Sequence, residues 1–147
     1  MTHHLAQLNI GRLLAPIDDP LIADFAGQLD EINALAERSP GFVWRLTGEG
    51  NDATSLHPFS DNLIIVNMSV WESINTLKDF AFKSVHAVVM RRRADWFEKF
   101  PTAYLALWWI DAGHVPTIDE AKDRLRSLDA HGDTAYAFTF RKLFDPS

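Results

Sequence analysis

Residues 67–73 (N-M-S-V-W-E-S), 86–97 (H-A-V-V-M-R-R-R-A-D-W-F) and 107–116 (L-W-W-I-D-A-G-H-V-P) decide the fold of this chain. In order they read as the end of a strand, part of a long helix, and a second strand running into a turn. The clearest strand covers residues 62–70, where Ile64, Val66, Met68 and Val70 alternate with Leu63, Ile65, Asn67 and Ser69. Both faces begin apolar, so both are covered. Asn67 and Ser69 then bring polar groups to one end, where protein or ligand must bond them.

The helix expected over residues 84–100 can be tested on a wheel of about 100° per residue. Phe82, Val85, Val89, Met90, Trp96, Phe97 and Phe100 share one stripe roughly 140° wide, and Arg91, Asp95, Glu98 and Lys99 lie opposite. His86 and Arg93 fall inside the apolar stripe, stacked along one line. An arginine cannot shed its charge, so Arg93 must meet a carboxylate, backbone carbonyls, the face of a Trp or an anionic ligand. His86 is either a satisfied core histidine or a proton acceptor, histidine being the side chain that titrates unperturbed near neutral pH.

On the N-terminal side, residues 4–12 alternate as a first strand, with Ala6, Leu8 and Ile10 on one face and Gln7 and Asn9 on the other. Asp18-Asp19-Pro20 is a helix start. Ile22, Phe25, Ala26, Leu29, Ile32 and Ala36 make an amphipathic helix that stops at Ser39-Pro40-Gly41. Residues 42–46 form a short strand with Phe42, Trp44 and Leu46 facing one way and Arg45 the other. Residues 48–61 are loop by composition, long enough to be a lid or a tolerated insertion.

On the C-terminal side, Pro101 ends the long helix and residues 103–110 form a strand with two apolar faces. Asp111 to Pro116 is a turn in which His114 either bonds backbone or lines a pocket lip. Thr117 and Glu120 match a capping box, and Ile118, Ala121, Leu125 and Leu128 give a third helix ending at His131-Gly132. Residues 135–144 read as a closing strand.

A chain of 147 residues, 47% hydrophobic and 23% charged, suits one domain spanning 1–147. Five Trp and ten Phe supply core volume or walls for a flat ligand. The net charge of −6 argues against nucleic acid or an anionic membrane, and Arg91-Arg92-Arg93 is too short to reverse it. Without cysteine there is no disulfide, thiolate or Cys-based metal chemistry, and no metal site is expected. No signal-like N-terminus or membrane span is evident, so a cytoplasmic location is expected. Glycine-rich phosphate loops, the G-x-S-x-G elbow and H-E-x-x-H are absent.

The order strand, helix, strand, strand, helix, strand, with an appended helix and strand, predicts an α+β fold: a ferredoxin-like split βαβ sandwich with helices on one face of an antiparallel sheet. The second face then needs another cover. In so small a chain that cover is expected to be a twin, giving a homodimer that pairs as a dimeric α+β barrel, or a ligand.

Residues 42–46, Trp71-Glu72-Ser73, His86 with Arg93 and Trp96-Phe97, Leu107-Trp108-Trp109 with Ala112-Gly113-His114-x-Pro116, and residues 137–140 together resemble a bacterial domain-of-unknown-function family of the dimeric α+β barrel superfamily. A weaker likeness reaches the cofactor-independent antibiotic-biosynthesis monooxygenases of that superfamily. There an Asn and a Trp four residues later hold a polycyclic phenol, with an Arg on the next helix; Asn67, Trp71 and Arg91 or Arg93 match that pattern. Haem-degrading relatives use an Asn, a Trp and a helical His, which Asn9, Trp71 and His86 imitate.

These readings converge on a small-molecule enzyme, a cofactor-independent monooxygenase acting on an aromatic or polyketide-like substrate. Asn67 would bond a substrate oxygen, Arg93 would stabilise an enolate or phenolate, and His86 would take the proton. Trp44, Trp71, Trp96 and Trp108, with His114, would line the site. The alternatives are a non-catalytic protein that binds a small aromatic molecule or haem, and a structural dimer whose polar residues are all satisfied internally.

Overall fold

The computed structural model describes residues 2–48, 58–83, 91–99 and 102–146. Its frame is a four-stranded antiparallel sheet of order β2-β3-β1-β4, built from β1 (His3–Arg12), β2 (Phe42–Arg45), β3 (Ile64–Trp71) and β4 (Leu105–Asp111). Between the strands run α1 (Ala23–Arg38), α2 (Ile74–Lys83) and the short α3 (Arg93–Trp96); α4 (Ile118–His131) follows β4. This is the split βαβ topology that the element order predicts, an α+β fold. Among the described residues no helix is long and apolar enough to cross a membrane.

Local chemistry accounts for the element ends. The Asp19 carboxylate accepts from Leu21 N at 2.9 Å and opens a 3₁₀ turn over Pro20–Ile22 that runs into α1. After α1 the chain reverses at Gly41, whose φ of +82° is costly for any residue with a Cβ. The Thr117 hydroxyl accepts from Glu120 N at 3.1 Å, and Gly132, at φ +72°, closes α4.

The register assigns every strand residue to a face. Ala6, Leu8 and Ile10 of β1 share one face with Val66, Met68 and Val70 of β3 and Ala106, Trp108 and Ile110 of β4, and Ala121, Leu125 and Leu128 of α4 bury against them. Each leucine so buried contributes roughly 1.5–3 kcal/mol. Leu5, Trp71 and Leu107 line the opposite face beneath Ile32 and Ala36 of α1 and Leu77 and Phe80 of α2.

Three expectations need correction, and a fourth is untested. First, the second face is covered by α4 together with Phe59, leaving Val66 at 6%, Met68 at 1% and Trp108 at 0% exposure within one chain. The argument for a twin from an uncovered face therefore does not hold. Helices lie on both faces because the appended α4 folds back on its own sheet. Second, the helix expected over 84–100 ends at Trp96: Phe97 turns extended and bridges Leu13, since its ring packs on β1. Residues 84–90 lie outside the described residues. Third, the closing strand over 135–144 reduces to a bridge between Phe138 and Leu107 and a turn at Thr139–Lys142. There the Asp133 carboxylate takes both Thr139 N (2.6 Å) and its hydroxyl (2.8 Å), bending the chain away from a ladder. Fourth, most of the 48–61 loop, and with it the question of a lid, lies outside the described residues.

Candidate functional site

On the α1/α2 face the sheet's centre is polar. Asn9 stands opposite Asn67 and Gln7 opposite Ser69, so four polar residues form a patch across β1 and β3. Leu105 and Leu107 of β4 flank it, paired with Asn9 and Gln7. Gln7 and Ser69 are only 6% and 7% exposed, whereas Asn67 is exposed and Asn9 half-buried.

Gln7 organises the patch. Its amide nitrogen donates to Asn67 Oδ1 at 2.7 Å and to Ser69 Oγ at 2.8 Å. Ser69 Oγ accepts again from Trp71 Nε1 at 2.9 Å. That bond fixes the indole of Trp71, which is 1% exposed, stacked on Phe80 at 5.1 Å and met edge-on by Phe42 at 5.5 Å. Asn67 therefore does not stand alone: β1 supplies the group that orients it.

At the other end of the patch Phe97 lies against Gly11, and the guanidinium of Arg93 sits 5.4 Å from the Phe97 ring and 4.8 Å from that of Tyr104. Arg93 is half-buried, whereas Arg91 and Arg92 are exposed. The aromatic stacking expected as one option for Arg93 occurs on Phe97 and Tyr104, and it is Arg92 that lies over Trp96, at 4.7 Å. Trp96 itself is buried at 1% against Phe25. His86 lies outside the described residues.

The remaining predicted lining residues sit on the other side of the sheet. Trp44 packs with the α4 cluster, and Trp108, wholly buried there, donates from Nε1 to Glu120 Oε2 at 2.8 Å. His114 Nε2 lies 2.7 Å from Glu120 Oε1. Burial pushes the Glu120 carboxyl up, but the His114 and Trp108 hydrogen bonds outweigh it and hold the group below the usual carboxylate range. The interior of this face keeps a cavity of about 10 Å³ between Leu8, Phe59, Met68 and Ala121, room for one water at most. Trp108 is therefore core, Trp44 packs half-buried against that core, and His114 partners Glu120. The period of two that separates the strand faces also separates these residues from Asn67.

Two neighbours were not singled out from the sequence. Gln7 gave a weak signal, a polar residue on the same strand face as Asn9. Arg45, across from Ser69 in register, has a side chain 9% exposed and lies 3.7 Å from Glu37 Oε1. Among the described residues no three His, Asp or Glu side chains converge as metal ligands would.

In fold, the chain is similar to a Nitrosomonas europaea protein provisionally assigned as an antibiotic biosynthesis monooxygenase, with a TM-score of 0.51 and 11% identity over 80% of this chain and 97% of that one. A Nitrosomonas europaea protein of unknown function gives a TM-score of 0.48 and 13% identity, over 79% of this chain and 97% of that one. No curated protein matches the chain. That first likeness concerns the fold alone. Residues 4–147 match the model of a family described as a domain of unknown function, DUF3291, and the chain belongs to that family.

Proposed function

We propose that the α1/α2 face of the sheet binds a small aromatic or polyketide-like molecule and that the protein acts on it as a cofactor-independent monooxygenase. The observation that supports this is the Gln7–Ser69–Asn67 network, polar groups ordered within an apolar sheet face beside Trp71. Asn67 would bond the substrate oxygen, the buried Trp71 would support the site from beneath through its bond to Ser69, and Arg93, from the Phe97 end, would favour an enolate or phenolate. His86 would accept the proton. The likeness in fold to the provisionally assigned monooxygenase favours this reading over other small-molecule chemistry.

The test is oxygen uptake with anthrone, a tricyclic ketone with an acidic methylene. Anthrone and O₂ would give anthraquinone and water, one oxygen atom entering the ring carbon and the other leaving as water. Uptake matched by anthraquinone formation, and reduced in Asn67→Ala and His86→Ala, is the expected result. Turnover unaffected by both changes would reject the proposal.

One observation favours a second reading, binding without turnover of a small aromatic molecule or haem: the described patch consists of amides and a hydroxyl, none of which titrates near neutral pH. In that case anthrone would bind without oxygen uptake, or haem would give a Soret band lost in His86→Ala. The proposal includes a cytoplasmic homodimer that pairs through surfaces outside the α4-covered face, to be tested by the molar mass in solution.

A further inference from the structure

We infer that the α4 face holds a second small-molecule site, for an arylalkyl carboxylate, and that Pro58 and Phe59 occupy it as an internal stand-in. The site lies on the opposite face of the sheet from the Asn67 patch, so it neither rests on the function proposed for that patch nor alters it.

The Phe59 ring packs, half-buried, on an apolar floor of Leu8, Leu46, Val66, Met68, Ile118 and Ala121. The fit is incomplete, since the cavity of about 10 Å³ remains among these side chains. One cation stands at the mouth. Lys122 Nζ donates to Pro58 O at 2.9 Å and lies 5.0 Å from the centre of the Phe59 ring. Among the described residues this is the one hydrogen bond that ties residues 58–60 to the rest of the chain. The next anchor is Asp61, which is held by Arg12 Nε at 2.6 Å and accepts from Leu63 N at 2.9 Å.

Lys122 is half-buried, and among the described residues its hydrogen-bond acceptor is this neutral carbonyl. Its charge is left uncompensated there, and a carboxylate in the same place makes the stronger bond. The stand-in also specifies the length of the ligand. The nitrogen, Cα and Cβ of Phe59 separate the Pro58 carbonyl carbon from the ring. In 4-phenylbutyrate three methylenes occupy those places, and the carboxylate falls where the carbonyl oxygen meets Lys122. The tether keeps the stand-in at an effective concentration of about a millimolar, so a free ligand displaces Phe59 through the stronger charge pair and fuller occupation of the floor.

The experiment titrates the protein, labelled with ¹³C at its methionine methyls and with ¹⁵N, with 4-phenylbutyrate, with its neutral analogue 4-phenylbutanamide, and with phenylacetate, whose spacer is too short to join the floor to Lys122. Met68 on the floor reports binding, and the Asn67 side-chain NH₂ reports the other face. In the wild type 4-phenylbutyrate should shift the Met68 methyl saturably at millimolar concentration. Phe59→Ala removes the competitor and should tighten that binding by about tenfold or more. The other two ligands should bind about tenfold more weakly. Lys122→Met keeps the apolar stem and should erase the preference for carboxylate over amide, and Lys122→Arg should restore it. Binding by Phe59→Ala alone, with the wild type unmoved, overturns the inference, because Phe59 would then be core and its loss a hole that any apolar molecule fills. Equal binding of the three ligands overturns it, as does a preference that survives in Lys122→Met or a shift at Asn67 with Met68 unmoved. If Phe59→Ala does not fold, the wild-type and Lys122→Met titrations decide by the same criteria.

Discussion

Phe97 packs edge-on against Gly11: a Cβ built on Gly11 would lie 2.7 Å from Phe97 Cδ1 and 2.8 Å from Cε1. With the bridge between Phe97 and Leu13, and Glu98 N bonded to Arg12 O at 2.9 Å, this contact seats the chain after α3 on β1. Gly11→Ala must displace the ring and should cost about 1–3 kcal/mol, seen as a fall in Tm of several degrees. Phe97→Leu in the same chain should recover part of the loss, giving a non-additive double mutant. Full additivity would mean that the ring does not bear on Gly11.

Ser69 is the acceptor for a buried indole, so Ser69→Ala leaves the Trp71 N–H without that partner. The expected cost is about 1–3 kcal/mol, read as a lower urea midpoint with an unchanged slope. Ser69→Thr, which keeps the oxygen, should lose less. Equal losses would place the cost in packing instead.

Glu120 links the buried Trp108 indole to His114 at the surface. Its folded carboxyl titrates below the ordinary 4.5, so its contribution is complete above that value and is lost as the pH falls through the lowered folded value. Glu120→Gln should reduce stability at neutral pH and flatten that part of the acid-unfolding curve. A variant that loses stability between neutral and acid pH as steeply as the wild type would contradict this.

The arginine run separates into roles. Arg92 joins Asp24 (3.3 Å) and Asp95 (3.1 Å) in exposed pairs, which typically matter little to stability, whereas Arg93 is turned onto Phe97 and Tyr104 beside the patch. Arg93→Ala should weaken ketone binding or turnover by about tenfold, equivalent to roughly 1.4 kcal/mol; Arg92→Ala should change neither. The reverse order would move the functional cation to Arg92.

Much of the fold was legible in the sequence because its signals are local. Asp19 before Pro20, Gly41 after Pro40, and Thr117 three residues before Glu120 mark the helix ends that the structure shows. Alternation placed Asn67 and Ser69 on one face of β3. What alternation within one strand could not supply was the relation between strands, which is why Trp44 and Trp108 were grouped with Asn67 although the register sets them on the opposite face. The capping-box match also misled in part: Thr117 caps as expected, but the Glu120 carboxylate is taken by Trp108 and His114 instead of the Thr117 N–H. For residues 135–144 the pattern of aromatics suggested a strand, and the Asp133 turn onto Thr139 overrides it.

The most direct test of the central claim is a crystal structure of the protein soaked with anthrone. The ketone oxygen is expected within hydrogen-bond distance of Asn67 Nδ2, with the rings on the α1/α2 face of the sheet. Density for the rings between α4 and the face carrying Trp44 and Trp108, with Asn67 untouched, would contradict it.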